Sequence, residues 1–317
     1  MEYRKLISFG KNSFVISLPK SWVVQNKLKK GDLIYITENE YNLLLSKKEL
    51  EKEEEEKEKV IPTDRKTLLT IAREVSSAYI LNYRRIILKG VDIKTKIREL
   101  QGIIQNLIAL EIMEQSTDSI VAKDFLNMDK VSLTELVRKM DVVTRIMIKD
   151  MTNIFVEDTY EQINDRDKDV NRLYFLLYRT VLYNLENPMK SIKNHKLNSI
   201  DLMRIQFVGF YIEAIADEAR RTSRFARSLK LTAEKKKELE NIFNRIHNYY
   251  LETMKAVYNH DSELALRLSE QKDQIDKDIE TIEKDVMKIE GLSRVICRLT
   301  RMTSSVHNLG RVLYTLV

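Results

Sequence analysis

Proline occurs at only three positions, Pro19, Pro62 and Pro188, and none follows Pro188 to the end of the chain. A proline inside a helix removes a backbone donor and clashes with the preceding turn, so its absence over so long a stretch leaves helices uninterrupted. Apolar residues recur there at spacings of three and four, and residues from Ser132 to Val317 are expected to be helical throughout. Charged residues make up 32% of the 317 positions and interleave with apolar ones. No apolar run is long enough to cross a bilayer, which predicts no membrane insertion. The opening MEYRKLISFG lacks an apolar signal core and a small-residue cleavage motif, so a cytoplasmic location is expected.

The net charge of +6 is unevenly placed. Residues 1–35 hold Arg4, Lys5, Lys11, Lys20, Lys27, Lys29 and Lys30 against only Glu2 and Asp32. Such a cluster on a small domain is the footprint of phosphate-backbone binding, although a solvated basic face has the same composition. The same region reads as strand, strand, short helix, strand, strand. A turn at Gly10 to Ser13 joins YRKLISF to FVISL, Lys20 to Asn26 form a short helix, and LIYITE turns into YNLLLS around Glu38 to Glu40. A unit this small has little core of its own and is expected to pair with a second copy.

Residues 49–61 read as a charged linker, and residues 62–130 as a small α/β module with helices over 64–83 and 94–107 and short strands at 85–88, 110–113 and 119–122. That module is either a structural spacer or a small-molecule sensing unit. Beyond it, Ser132 followed by Glu135 has the spacing of a capping box. Shifting residues 146–174 by 105 positions brings Ile163 onto Leu268, Val170 onto Ile275 and Asn171 onto Asp276, and a shift of 87 brings Glu213 onto Thr300. Two tandem three-helix repeats follow, residues 131–229 and 230–317, the first with a longer connection around Pro188. The fold class expected is mainly α, with a small β domain and a small α/β module ahead of the two bundle repeats.

The segment FGKNSFVISLPKSWVVQNKLKKGDLIYI, with LPKSW and LKKGD at fixed spacing, resembles the AbrB/SpoVT swapped-hairpin DNA-binding family over residues 1–48. The resemblance implies that the small β domain is of the swapped-hairpin kind, an intertwined homodimer whose basic residues face DNA. Arg4, Lys5, Lys11 and Lys20 would contact phosphates, with Asn12 and Ser13 as hydrogen-bond donors. Trp22, between Ser21 and the apolar Val23 and Val24, is expected as a core anchor and not a base-stacking residue.

The helical half resembles the PhoU family, through RDKDVNRLYFLLYR at Arg166 to Arg179 and YIEAIADEARRTSR at Tyr211 to Arg224. The resemblance implies a regulator of phosphate uptake, partnered by the ATPase of a phosphate transporter or by a phosphate signalling protein. It also implies multinuclear metal sites built from acidic residues four apart on facing helices. The positions matching that motif are Asp167 and Asn171 on one helix and Glu213 and Asp217 on another, a set that would take Fe or Zn. The alternative is that Glu213 and Asp217 form salt bridges with Arg220, Arg221 or Arg179. In the second repeat the corresponding residues are Lys272, Asp276, Thr300 and Ser304, too poor in negative charge for a divalent ion.

Catalytic signatures are otherwise missing, and the expectation is a non-enzymatic protein. His195, His247, His260 and His307 are scattered, and no glycine-rich phosphate loop or nucleophile elbow occurs. The single cysteine, Cys297, is expected as a buried structural thiol.

Overall fold

The computed structural model describes residues 3–11, 13–38, 43–47, 57–284 and 289–315. The chain divides into two units, residues 1–55 and 56–317.

In the first unit, β1 (Ile7–Phe9) pairs antiparallel with β2 (Ser13–Val15), Ile7 opposite Val15 and Phe9 opposite Ser13. Gly10, at φ 71, makes the turn between them in a backbone region that disfavours side chains. A six-residue helix, α1 (Lys20–Gln25), follows Pro19. The KKGD turn closes with the amide of Lys29 donating to the Asp32 carboxylate at 2.7 Å. β3 (Tyr35–Glu38) then pairs with β4 (Leu43–Ser46). The elements occur in the expected order, with strands shorter than the alternating pattern suggested. None of the described residues here with a defined burial is buried, and Trp22 is only half-buried. Leu6, Ile7, Phe9, Phe14, Ile16, Leu33 and Ile36 all remain exposed.

The second unit opens with a strand where a linker was expected. β5 (Glu58–Pro62) takes the end of the charge run, and only Ile61 points into the core. As an edge strand it keeps Lys57, Glu58 and Lys59 in water, so its charges obscured its period. β6 (Arg85–Lys89) runs parallel to it, connected through α2 (Leu68–Ile80), while β8 (Ser119–Asp124) is antiparallel to both β6 and β7 (Leu110–Gln115). The sheet order is β5-β6-β8-β7. It packs with α2 and α3 (Ile93–Gln105) around Ile71, Tyr79, Ile86, Leu100 and Ile120.

Among the described residues eight α-helices follow: α4 (Leu133–Thr152), α5 (Tyr160–Glu186), α6 (Pro188–His195), α7 (Ser199–Ala226), α8 (Ala233–Asn259), α9 (Ser262–Leu268), α10 (Gln271–Glu283) and α11 (Leu292–Thr315). Ser132 caps α4 by accepting from the amide of Glu135 at 3.3 Å. The first repeat is α4, α5 and α7, and the second is α8, α9 with α10, and α11. Two departures from three simple helices per repeat appear. The connection around Pro188 folds into α6, with the proline in the first turn where its missing amide costs nothing. The middle helix of the second repeat breaks near Ser269 into α9 and α10.

A shared apolar core runs through both repeats, including Met140, Ile163, Leu177, Ile212, Phe243, Tyr250, Leu299 and Val306. At Gly209 a Cβ would lie 2.1 Å from the buried Leu177, so the glycine lets α7 approach α5. No described helix is long and apolar enough to cross a membrane.

Candidate functional site

The spacing of Asp167 and Asn171 puts both on one face of α5, and that of Glu213 and Asp217 does the same on α7. The structure gathers the two aspartates into an ion-pair cluster built around arginine, with Asn171 and Glu213 beside it. Arg220, one turn beyond Asp217, places Nε 3.0 Å from Asp167 Oδ2 and Nη2 2.6 Å from Asp217 Oδ1. Arg221 takes the other oxygen of Asp217 at 2.7 Å. Asn171 donates from Nδ2 to Asp167 at 3.2 Å.

Glu213 is left without an ion pair in this group, among the described residues. Burial, with Asp217 and Asp167 nearby, pushes its pKa from 4.5 up to about 7. Asp167 is also raised, since its burial outweighs the attraction of Arg220.

These residues do not fit a metal ion as arranged. A guanidinium stands between the two aspartates where a cation would have to sit, and Asn171 spends its amide on Asp167. Among the described residues, no group of three His, Cys, Asp or Glu side chains is disposed to hold a metal. Of the three arginines weighed from sequence as salt-bridge partners, Arg220 and Arg221 serve Asp217, and Arg179 serves a different site altogether.

The second repeat carries its own cation in the matching place. Lys272 pairs with Asp276 one turn away on α10, and the hydroxyl of Thr300 donates to the Ile296 carbonyl at 3.1 Å. Glu213 and Asp217 of α7 line a cleft of about 400 Å³ together with Thr300 and Ser304 of α11. Cys297, expected to be buried, is exposed in the adjoining cleft beside Thr300 and Arg301. Its neighbours Val295 and Ile296 are buried, but on a helix one further residue turns the side chain about 100° away from theirs.

The residues expected to meet DNA lie in the first unit. Arg4 and Lys5 precede β1, Lys11 sits in the β1–β2 turn, Ser13 opens β2 and Lys20 opens α1, all exposed. Asn12 lies outside the described residues.

A polar seam between the α/β module and the bundle was not foreseen. Arg179 on α5 donates to Asp124 at 2.6 Å and to Asn82 at 2.8 Å, and its guanidinium lies 4.5 Å from the centre of the Tyr79 ring. Arg84 also pairs with Asp124 and donates to the Leu126 carbonyl at 2.6 Å. Asn82 follows α2 at φ 60, a conformation asparagine tolerates, and is buried against Arg179. Burial raises the Tyr79 hydroxyl to about 12, so it stays protonated and donates to the Ile108 carbonyl at 3.0 Å.

His307 lies near the Lys272–Asp276 pair of the second repeat. Burial lowers the pKa of His247 and His307, which favours the uncharged ring.

No protein-family model matches the chain, and no curated protein matches it. Among solved structures it is similar to the crystal structure of PhoU from Pseudomonas aeruginosa, with a TM-score of 0.50 and 16% identity. The likeness covers 58% of this chain and 94% of that one. At such low identity it is the fold that is shared: the chain has a PhoU-like helical bundle, joined to an α/β module and a small β unit.

Proposed function

We propose that the protein is a cytoplasmic, non-enzymatic regulator of phosphate homeostasis. Its bundle docks a phosphate transporter ATPase or a phosphate signalling protein, and its N-terminal unit pairs two chains and presents basic residues to DNA. The PhoU-like bundle carries this reading. The pairing is supported by the exposed apolar residues of the first unit, which have no core of their own to enter. The DNA contact rests on the sequence resemblance and on the basic residues Arg4, Lys5, Lys11 and Lys20, with Asn12 and Ser13 beside them.

The partner is tested by capturing the tagged full chain from its own cells grown in high and low phosphate and identifying what is retained. Recovery of a phosphate transporter ATPase or phosphate sensor is expected, and recovery of neither under both conditions sinks the proposal. DNA binding is tested by anisotropy on a random-sequence duplex over a salt series. Affinity should fall steeply with salt, and Lys11→Ala should flatten the slope by about one unit. A chain that forms dimers yet shows no salt-dependent DNA affinity is the second reading, a dimeric scaffold that controls a transporter without touching DNA.

A further inference from the structure

A cleft of about 730 Å³ opens where α4 and α5 meet the α/β module. Helix α4 contributes Arg138, Lys139 and Val142, helix α5 contributes Arg172 and Leu173, and Ile108 reaches in from the connection between α3 and β7. Arg138 and Lys139 are adjacent, and Val142 follows one turn later, so all three border the same opening.

The charges here are poorly matched internally. Three cations face two carboxylates, Glu135 and Asp169. Arg172 approaches Asp169 only to 3.9 Å, and its buried Nε has no hydrogen-bond partner among the described residues. Val142 is half exposed on the opposite wall. Arg138 holds its guanidinium 6.0 Å from the centre of the Tyr258 ring. An apolar wall bordered by an excess of positive charge attracts an anion, and clefts at domain junctions are common ligand sites.

We infer that this cleft binds a small phosphorylated organic anion. Arg138, Lys139 and Arg172 hold the phosphate, and Val142, Leu173 and Ile108 receive an apolar or planar body. Arginine suits the role because its planar fork matches a phosphate in two-point contact. A nucleoside monophosphate has the required chemistry. The occupant would lie beside Ile108, whose carbonyl accepts from the Tyr79 hydroxyl. The inference stands apart from any role in phosphate homeostasis, because it rests on the cleft and its charges alone.

The test is calorimetric titration of the full chain with AMP, adenosine and inorganic phosphate at fixed ionic strength. AMP should bind saturably, one per chain, and adenosine and phosphate each about tenfold more weakly. Arg138→Gln with Lys139→Glu, both at exposed positions, should weaken AMP at least about tenfold, as should Arg172→Gln. Lys11→Ala with Lys20→Ala should leave AMP binding unchanged, and far-UV circular dichroism checks that every variant is folded. The inference is overturned by absence of saturable AMP binding, by phosphate or adenosine binding as tightly as AMP, by an unaffected folded α4 double variant, or by loss of binding in the N-terminal variant.

Discussion

Arg179 donates to Asp124 at 2.6 Å with both side chains wholly withdrawn from water. The pair joins α5 of the bundle to the last strand of the module, across a boundary that few other polar contacts span. Removing one partner of a buried pair strands the other, which is costlier than the pair itself is stabilising. Asp124 retains Arg84, which softens the loss. Arg179→Met is expected to destabilise the chain by about 3 kcal/mol in urea denaturation. A loss below about 1 kcal/mol would show that apolar packing alone holds the seam.

Glu213 makes stability depend on pH in the opposite sense to an ordinary carboxylate. Its folded-state pKa of about 7 lies above the usual 4.5, so between those values the folded chain keeps a proton that the unfolded chain has lost. Stability from this group is greatest at the acid end of the window and falls as pH rises through 7. Glu213→Gln should match the parent near about pH 4.5 and exceed it by about 2 kcal/mol near about pH 8, after allowance for solvent screening. Thermal melts at the two pH values check it, and equal gains at both would refute the raised pKa.

Phe14, 68% exposed on β2, belongs to the uncovered apolar surface of the first unit. If a second copy covers that surface, Phe14→Glu should convert dimer to monomer in sedimentation velocity while the helical signal is kept. An unchanged dimer would move the interface elsewhere.

Asn198 begins α7 with a reciprocal cap, accepting from the amides of Ile200 at 2.8 Å and Asp201 at 3.0 Å while the Asn198 backbone amide donates to the Asp201 carboxylate at 3.1 Å. Asn198→Ala should cost about 1 kcal/mol in chemical denaturation, and Asn198→Ser should restore most of it.

The helices were legible because a period near 3.6 survives wherever one face is buried, and α4, α5, α7, α8 and α11 all fall within the stretch from Ser132 that the period marks as helical. The repeat was legible for the same reason, as matched apolar positions persist after the acidic residues have diverged. The break between α9 and α10 was hidden, because the apolar residues Leu264, Leu268, Ile275 and Ile279 keep their spacing across it. Strand β5 was hidden by its own edge position, which lets charge replace alternation. At the acidic cluster, the resemblance to PhoU grouped Asp167, Asn171, Glu213 and Asp217. It could not tell which of three arginines would reach them, because that depends on how α5 and α7 cross. The seam was out of reach altogether, since Asp124 and Arg179 meet only after the module and bundle have folded against each other.

Helix α5 carries Asp167 into the acidic cluster, Arg172 into the cationic cleft and Arg179 into the seam. At 1.5 Å per residue the first and last of these stand roughly 18 Å apart along one unbroken rod. No loop interrupts the helix between them, so a shift of α5 along its own axis moves the carboxylate and the guanidinium together.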